Sequence, residues 1–184
     1  SPRAFAAGAD IKELLPVDDV KTERGVELPF FTQGMEVYKP VIAAVNGFAL
    51  GGGLEVMLAC DIRIASERAS FGQPEVAIGI TAGWGGSQRL TRQIPWCKAA
   101  ELLLMGQRID AQEAYRIGLV NKVVPHEELL AEANAWADTI CRQGPIAVRA
   151  TKEAMVRGAE VPLVEGLRVE QEMFGKARRS DDAE

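Results

Sequence analysis

The sequence predicts an α/β protein with a helical C-terminal appendage, and three observations predict it. Short apolar runs that suit strands, such as PVIAAVN at 40–46 and DIRIA at 61–65, alternate with helical stretches along the first part of the chain. Glycine-rich turns lead into helices at Gly51-Gly52-Gly53 and at Gly83-Trp84-Gly85-Gly86. From His126 onward the chain reads as helices alone. The composition agrees: 184 residues, 47% hydrophobic and 26% charged, is ordinary for a folded domain and excludes a disordered chain.

The elements follow in order. Residues 4–9, AFAAGA, read as the end of a strand running into a tight turn, and Asp10 caps a helix over 11–15. Residues 16–29 are polar, hold Pro16 and Pro29, and read as a mobile connection. Residues 33–38 close a helix before Lys39-Pro40, because the residue ahead of a proline avoids the helical region. The run 40–46, rich in β-branched residues, suits a strand buried on both faces. A glycine turn over 47–53 leads to a helix over 54–60. Strands are expected at 61–65 and, shorter, at 69–72. The turn at 84–86 opens a helix that reaches about residue 92 and resumes from Pro95 to Met105. Asp110 starts a helix that Gly118 ends, and LVNKVV at 119–124 is strand-like. Helices over 126–142, 145–157 and 162–178 are separated by Gly144-Pro145 and by the stretch from Gly158 to Pro162.

Several function classes are disfavoured. The net charge of −5 lacks the basic footprint of a nucleic-acid binder. Cys60, Cys97 and Cys141 are odd in number, widely spaced and without a CxxC, so they read as free thiols in a reducing compartment rather than as disulfides or zinc ligands. Nothing reads as a metal-ligand cluster. A Ser–His–Asp or Cys–His mechanism would rest on the single histidine, His126, which reads as a helix-entry residue. No run approaches the roughly 18 apolar residues that span a bilayer.

Three motifs can carry chemistry. Ala7-Gly8-Ala9-Asp10 follows a strand, and its small residues leave backbone N–H groups open to a ligand; the alternative is a plain tight turn. Asn46-Gly47 and Gly51-Gly52-Gly53-Leu54-Glu55 place three glycines before a helix. A helix start with bare N–H groups suits a phosphate or a developing oxyanion, although close helix–strand packing would also select glycine. No Lys-Ser or Lys-Thr follows, so a phosphate loop fails, and the spacing fits a dinucleotide fingerprint poorly. Glu55 lies among apolar neighbours in the first turn, where a carboxylate needs a reason beyond the roughly 0.3–1 kcal/mol of the helix dipole. Phe71-Gly72-Gln73-Pro74-Glu75 holds the second acid on a proline-stiffened loop, the alternative being a solvated glutamate. Gly83 and Trp84 then offer close backbone approach and an apolar wall, or for Trp84 simple core packing. Two carboxylates with pKa values pushed apart, beside two glycine-rich turns, suit proton chemistry next to a carbonyl.

The runs AFAAGADIKE, KPVIAAVNGFALGGGLEVMLACDIRIAS, FGQPEVAIGI, GGSQRL and GQRIDAQEAYRIGLVNKVVP, in this order, resemble the enoyl-CoA hydratase/isomerase (crotonase) family over essentially the whole chain. Within it, the similarity is to bacterial-type enoyl-CoA hydratases and 3-hydroxybutyryl-CoA dehydratases. The resemblance implies a spiral of ββα repeats over 1–106, incomplete at its N-terminus, carrying the active site. It implies a mainly helical region over 107–184, its last helix missing, used for trimer contacts. The backbone N–H groups of Ala9 and Gly52 would form an oxyanion hole, and Ala7, Gly8, Asp10, Ile11 and Lys12 would lie along the CoA. Glu55 and Glu75 would share one water, Glu55 mainly as base and Glu75 as proton source for Cα, with the Gly83 backbone near that water and Trp84 beside the acyl chain.

Both glutamates favour hydration over isomerisation, or over another reaction of the family; a non-catalytic RNA-binding relative is disfavoured by the acidic pI. No cofactor is implied, because coenzyme A is part of the acyl-CoA substrate. The expected partners are that thioester and further copies of the chain, as a trimer or dimer of trimers, with no nucleic acid and no membrane. The expected location is a bacterial cytoplasm, or a mitochondrial matrix. One departure is Ala82, where most relatives carry proline. The family's chains continue past both ends of this one, so a longer parent, even one with a following dehydrogenase domain, is expected, and these 184 residues alone are expected to fold poorly and be nearly inactive.

Overall fold

The computed structural model describes residues 2–8, 10, 31–32 and 34–181. They fall into two compact units, residues 1–35 with 42–133, and residues 36–41 with 134–184. The helix expected over 11–15 and the connection over 16–29 lie outside the described residues.

In the first unit, the first five strands alternate between two sheets. β1 (Ala4–Ala6), β3 (Phe48–Leu50), β5 (Ser70–Gly72) and β6 (Arg108–Asp110) make a four-stranded sheet in that order. β2 (Ile42–Val45), β4 (Ile62–Ser66) and β7 (Lys122–Val124) make a three-stranded one. Every pairing is parallel except that of β5 with β6. Helix α1 (Gly52–Leu58) follows the pair β2–β3, and α2 (Gly86–Gln93) with α3 (Trp96–Met105) follows β4–β5. Each ββα turn therefore adds one strand to each sheet, which is the spiral expected from the family resemblance.

Four expectations change. Residues 48–50 are a strand, β3, not part of a glycine turn, because they pair with β1 on one side and β5 on the other. β6 was not foreseen either; three residues are too few to show an alternation. β2 alternates between half-buried and buried residues and is not buried on both faces. No helix covers 34–38: Gly34 takes a φ of 74° and the residues after it are irregular. A helix of so few residues has little intrinsic stability.

Elsewhere the local signals work as read. The Asp110 carboxylate accepts a hydrogen bond from the Glu113 N–H (2.8 Å) and caps α4 (Ala111–Arg116). Gly118 closes the turn after it at a φ of 78°. Val45, Leu54, Met57, Ile64, Phe71, Leu90, Leu102 and Leu119 are fully buried and form the core of this unit. It packs α1 against β1, β3 and α2 and so fixes where Glu55 sits.

The chain continues through a 3₁₀ turn (His126–Glu128) into α5 (Leu129–Cys141), α6 (Pro145–Ala159) and α7 (Leu163–Arg178). In the second unit α6 packs on α7, with Gly158 and Gly166 opposed so closely that a Cβ on Gly166 would lie 3.2 Å from the Gly158 carbonyl oxygen. Glu153 on α6 binds Arg157 (2.9 Å) and Lys176 (3.0 Å), and these bonds hold its carboxyl below the ordinary range.

Candidate active site

Glu55 is placed by the helix it stands on. Gly51 precedes α1 with a φ of 55°, a conformation that favours glycine, and its carbonyl accepts the Glu55 N–H at 3.1 Å. The side chain is 2% exposed. Its Oε1 accepts two backbone N–H groups, from Trp84 at 2.7 Å and from Gly86 at 2.8 Å. Charge-assisted bonds of this length are strong. The amides of the second glycine-rich turn thus grip a carboxylate rather than a substrate.

That turn is braced from behind. Arg89 on α2 donates to the Trp84 carbonyl (3.1 Å) and to the Thr32 carbonyl (2.6 Å). Arg89 went unnoticed in the sequence because its partners are main-chain atoms, which leave no side-chain signature.

Glu75 lies in the 3₁₀ turn Pro74–Ile78 and is half-buried. Its Oε1 accepts from Gln73 Nε2 at 2.9 Å, while Oε2 is buried and has no hydrogen-bond partner among the described residues. Burial pushes the Glu75 carboxyl above its ordinary value, and the nearby charge of Glu55 pushes the same way; a backbone bond and the Gln73 bond oppose them. Gln73 is the functional residue that the sequence reading missed. Its signal was the i, i+2 spacing from Glu75 at a strand end.

Both glutamates line one mostly apolar cavity of about 340 Å³. Ala7, Gly8, Gly51, Gly52, Gly83 and Trp84 line it too, with Pro74, Ala77, Ile78, Ile80 and Thr81 from the segment after β5. Gly52 carries the indole of Trp84 against it: a Cβ there would lie 2.7 Å from Trp84 Cζ3. Trp84 is half-buried and walls the cavity, so its role is not core packing alone. Asp10 is exposed and is not among the lining residues. Ala9, Ile11 and Lys12 lie outside the described residues.

His126 is remote from this chemistry. Its Nδ1 is 3.1 Å from the hydroxyl of the fully buried Ser66, and it does not line the cavity. The three cysteines are free, Cys60 buried and the other two exposed. Among the described residues no group of His, Cys, Asp and Glu could hold a metal ion, and no helix is long and apolar enough to cross a membrane.

Comparison with known proteins decides the family. The family model described as enoyl-CoA hydratase/isomerase matches residues 1–184. The chain belongs to the enoyl-CoA hydratase/isomerase family. It is 45% identical to the short-chain-enoyl-CoA hydratase of Clostridium acetobutylicum, over 98% of this chain and 70% of that protein. It is 44% identical to the crotonyl-CoA hydratase of Syntrophomonas wolfei, over 98% of this chain and 70% of that protein. The crystal structure of an enoyl-CoA hydratase from Bacillus anthracis superposes with a TM-score of 0.89 at 43% identity, covering 99% of this chain and 71% of that one. The crotonase fold is therefore shared with a family several of whose named members are hydratases.

Proposed function

We propose that the chain is the catalytic part of an enoyl-CoA hydratase, which adds water reversibly to a trans-2-enoyl-CoA to give a 3-hydroxyacyl-CoA. The observation that carries this reading is the opening of Glu55 and Glu75 onto one apolar cavity beside Gly52, at the start of α1. The first N–H groups of a helix have no acceptor within it. The Gly52 N–H would therefore receive the thioester oxygen, with Ala9 as the second donor implied by the family. Each such donor contributes about 2.7–4 kcal/mol where charge develops on the oxygen.

The roles follow from the two environments. Glu55, held by two amides through Oε1, takes a proton from the water whose oxygen bonds to Cβ. The electrons of the double bond pass to the thioester as an enolate. Glu75, whose carboxyl burial pushes toward the protonated form, delivers a proton to Cα. Water is added on one face; once product leaves, the proton left on Glu55 passes through the next bound water to Glu75, which restores both groups. No cofactor takes part, since CoA leaves with the product. A homo-oligomer, trimer or dimer of trimers, belongs to this reading. The exposed Met155 on α6 and Leu163, Val164 and Phe174 on α7 would supply apolar surface for it. A bacterial cytoplasm or mitochondrial matrix suits such an enzyme.

Hydration of crotonyl-CoA by the full-length protein, followed by loss of the enoyl-thioester absorbance, is the test. Turnover that disappears in Glu55→Gln supports the reading. Isomerisation of 3-enoyl-CoA without hydration, or no turnover of any 2-enoyl-CoA, overturns it.

A further inference from the structure

We propose that Gln73 and Gly86 are a coupled pair of positioning residues that hold the two carboxylates in register with each other. The proposal rests on the hydratase reading for its kinetic consequence only.

Gly86 works in two directions. Its N–H binds Glu55 Oε1 at 2.8 Å. Its bare Cα leaves room for the Gln73 amide: a Cβ would stand 2.9 Å from both Cδ and Nε2 of Gln73, and 3.0 Å from the Ala82 methyl. Gln73 is 1% exposed and directs Nε2–H at Glu75 Oε1, 2.9 Å away. Burying a primary amide is costly unless it bonds, and the donor half of this one is committed to Glu75.

One residue therefore touches the backbone donor for the first acid and the side-chain donor for the second. A Cβ on Gly51 would also lie 2.9 Å from Glu75 Oε1, so that oxygen is confined between Gln73 and the start of α1. Oε2 is then the carboxylate oxygen without a protein partner among the described residues. Glu55 is the charged neighbour that acts on Glu75, and the Gln73 donor favours the ionised form against it.

The test uses the full-length protein. Gln73→Met keeps the length and removes the donor. It is expected to lower kcat for 2-enoyl-CoA hydration about tenfold, the loss of a bond to a charged group, with KM changed less than about twofold. The Glu75 carboxyl, followed by carbon NMR and assigned by its absence in Glu75→Gln, moves to higher pH in Gln73→Met. Gly86→Ala is expected to lose activity similarly, and to add little in a Gln73→Ala background, where the side chain it strikes is gone. An unmoved Glu75 titration in Gln73→Met, or losses that simply add, overturns the proposal. Should the wild type hydrate no 2-enoyl-CoA, the hydratase reading fails while the NMR titration still decides the pairing. Should Gly86→Ala not fold, Gln73→Met decides alone.

Discussion

The two acids of the cavity differ in how they are held. Glu55 stands on a helix packed into the core, 2% exposed, with one oxygen bound by two main-chain N–H groups. Glu75 stands on a 3₁₀ turn, half-buried, with a side-chain donor from Gln73, a bond from its own backbone, and one buried oxygen that no described residue satisfies. Main-chain donors are lost to no side-chain change other than proline. A side-chain donor set against burial leaves the balance between charged and neutral forms closer. In the proposed hydration, this difference in burial and donors would separate the base from the acid in two chemically identical side chains.

The sharpest way to break this comparison is to neutralise the fixed partner. Glu55→Gln keeps an oxygen that Trp84 and Gly86 can bind, yet removes the carboxylate proposed as the base. It is expected to lower kcat for crotonyl-CoA hydration by about 10²-fold or more in a steady-state assay. Near-wild-type turnover would remove Glu55 from the mechanism.

Glu75→Gln is expected to lose activity by about 10²-fold and to gain stability. Its carboxyl titrates above the ordinary 4.5, mainly from burial, so the folded state holds more protons than the unfolded one between those values. Stability therefore falls as pH rises from 4.5 through the raised value, because ionising the buried carboxyl weighs against the fold. The glutamine variant should melt at a higher temperature than wild type at pH 7, with the gain vanishing below pH 4.5. A lower melting temperature at pH 7 would show that Glu75 is structurally favourable instead.

Gly52→Ala tests the ground between them. The new methyl meets the Trp84 ring. Displacing that ring from the N–H donor should lower kcat/KM about ten- to a hundredfold, as for a small misplacement of reacting groups. An unchanged kcat/KM would mean that the ring yields without disturbing the site.

The smallest effect belongs to the histidine. His126→Ala should change kcat less than about twofold and, through the lost contact with Ser66, destabilise by about 1 kcal/mol in denaturant unfolding. A large kcat effect would reopen a role for it.

Much of this was legible along the chain because its causes are local. The helix begun by Asp110 and ended by Gly118 is written in a cap and a left-handed glycine. The candidate acids stood out as charges in apolar or proline-fixed surroundings. β3 and β6 were not legible, since β3 lies between glycines that read as a turn and β6 runs into the Asp110 cap, and only their pairing with neighbouring strands reveals them. Gln73 and Arg89 escaped for other reasons: nothing in the sequence says that Gln73 turns toward Glu75, two residues on, and Arg89 donates to main-chain atoms.

By itself the sequence determined the α/β class, the helical tail, the net negative charge, and the two glutamates beside glycine-rich turns. These depend on composition, caps and spacing, which act within a few residues. Only the tertiary structure decided that Glu55 and Glu75 open onto one cavity, that the amides of residues 84 and 86 face a carboxylate, and that Gln73 reaches Glu75 past a bare Cα. Such choices are made when strands of successive turns pair and bring segments tens of residues apart into contact, and no local preference encodes that distance.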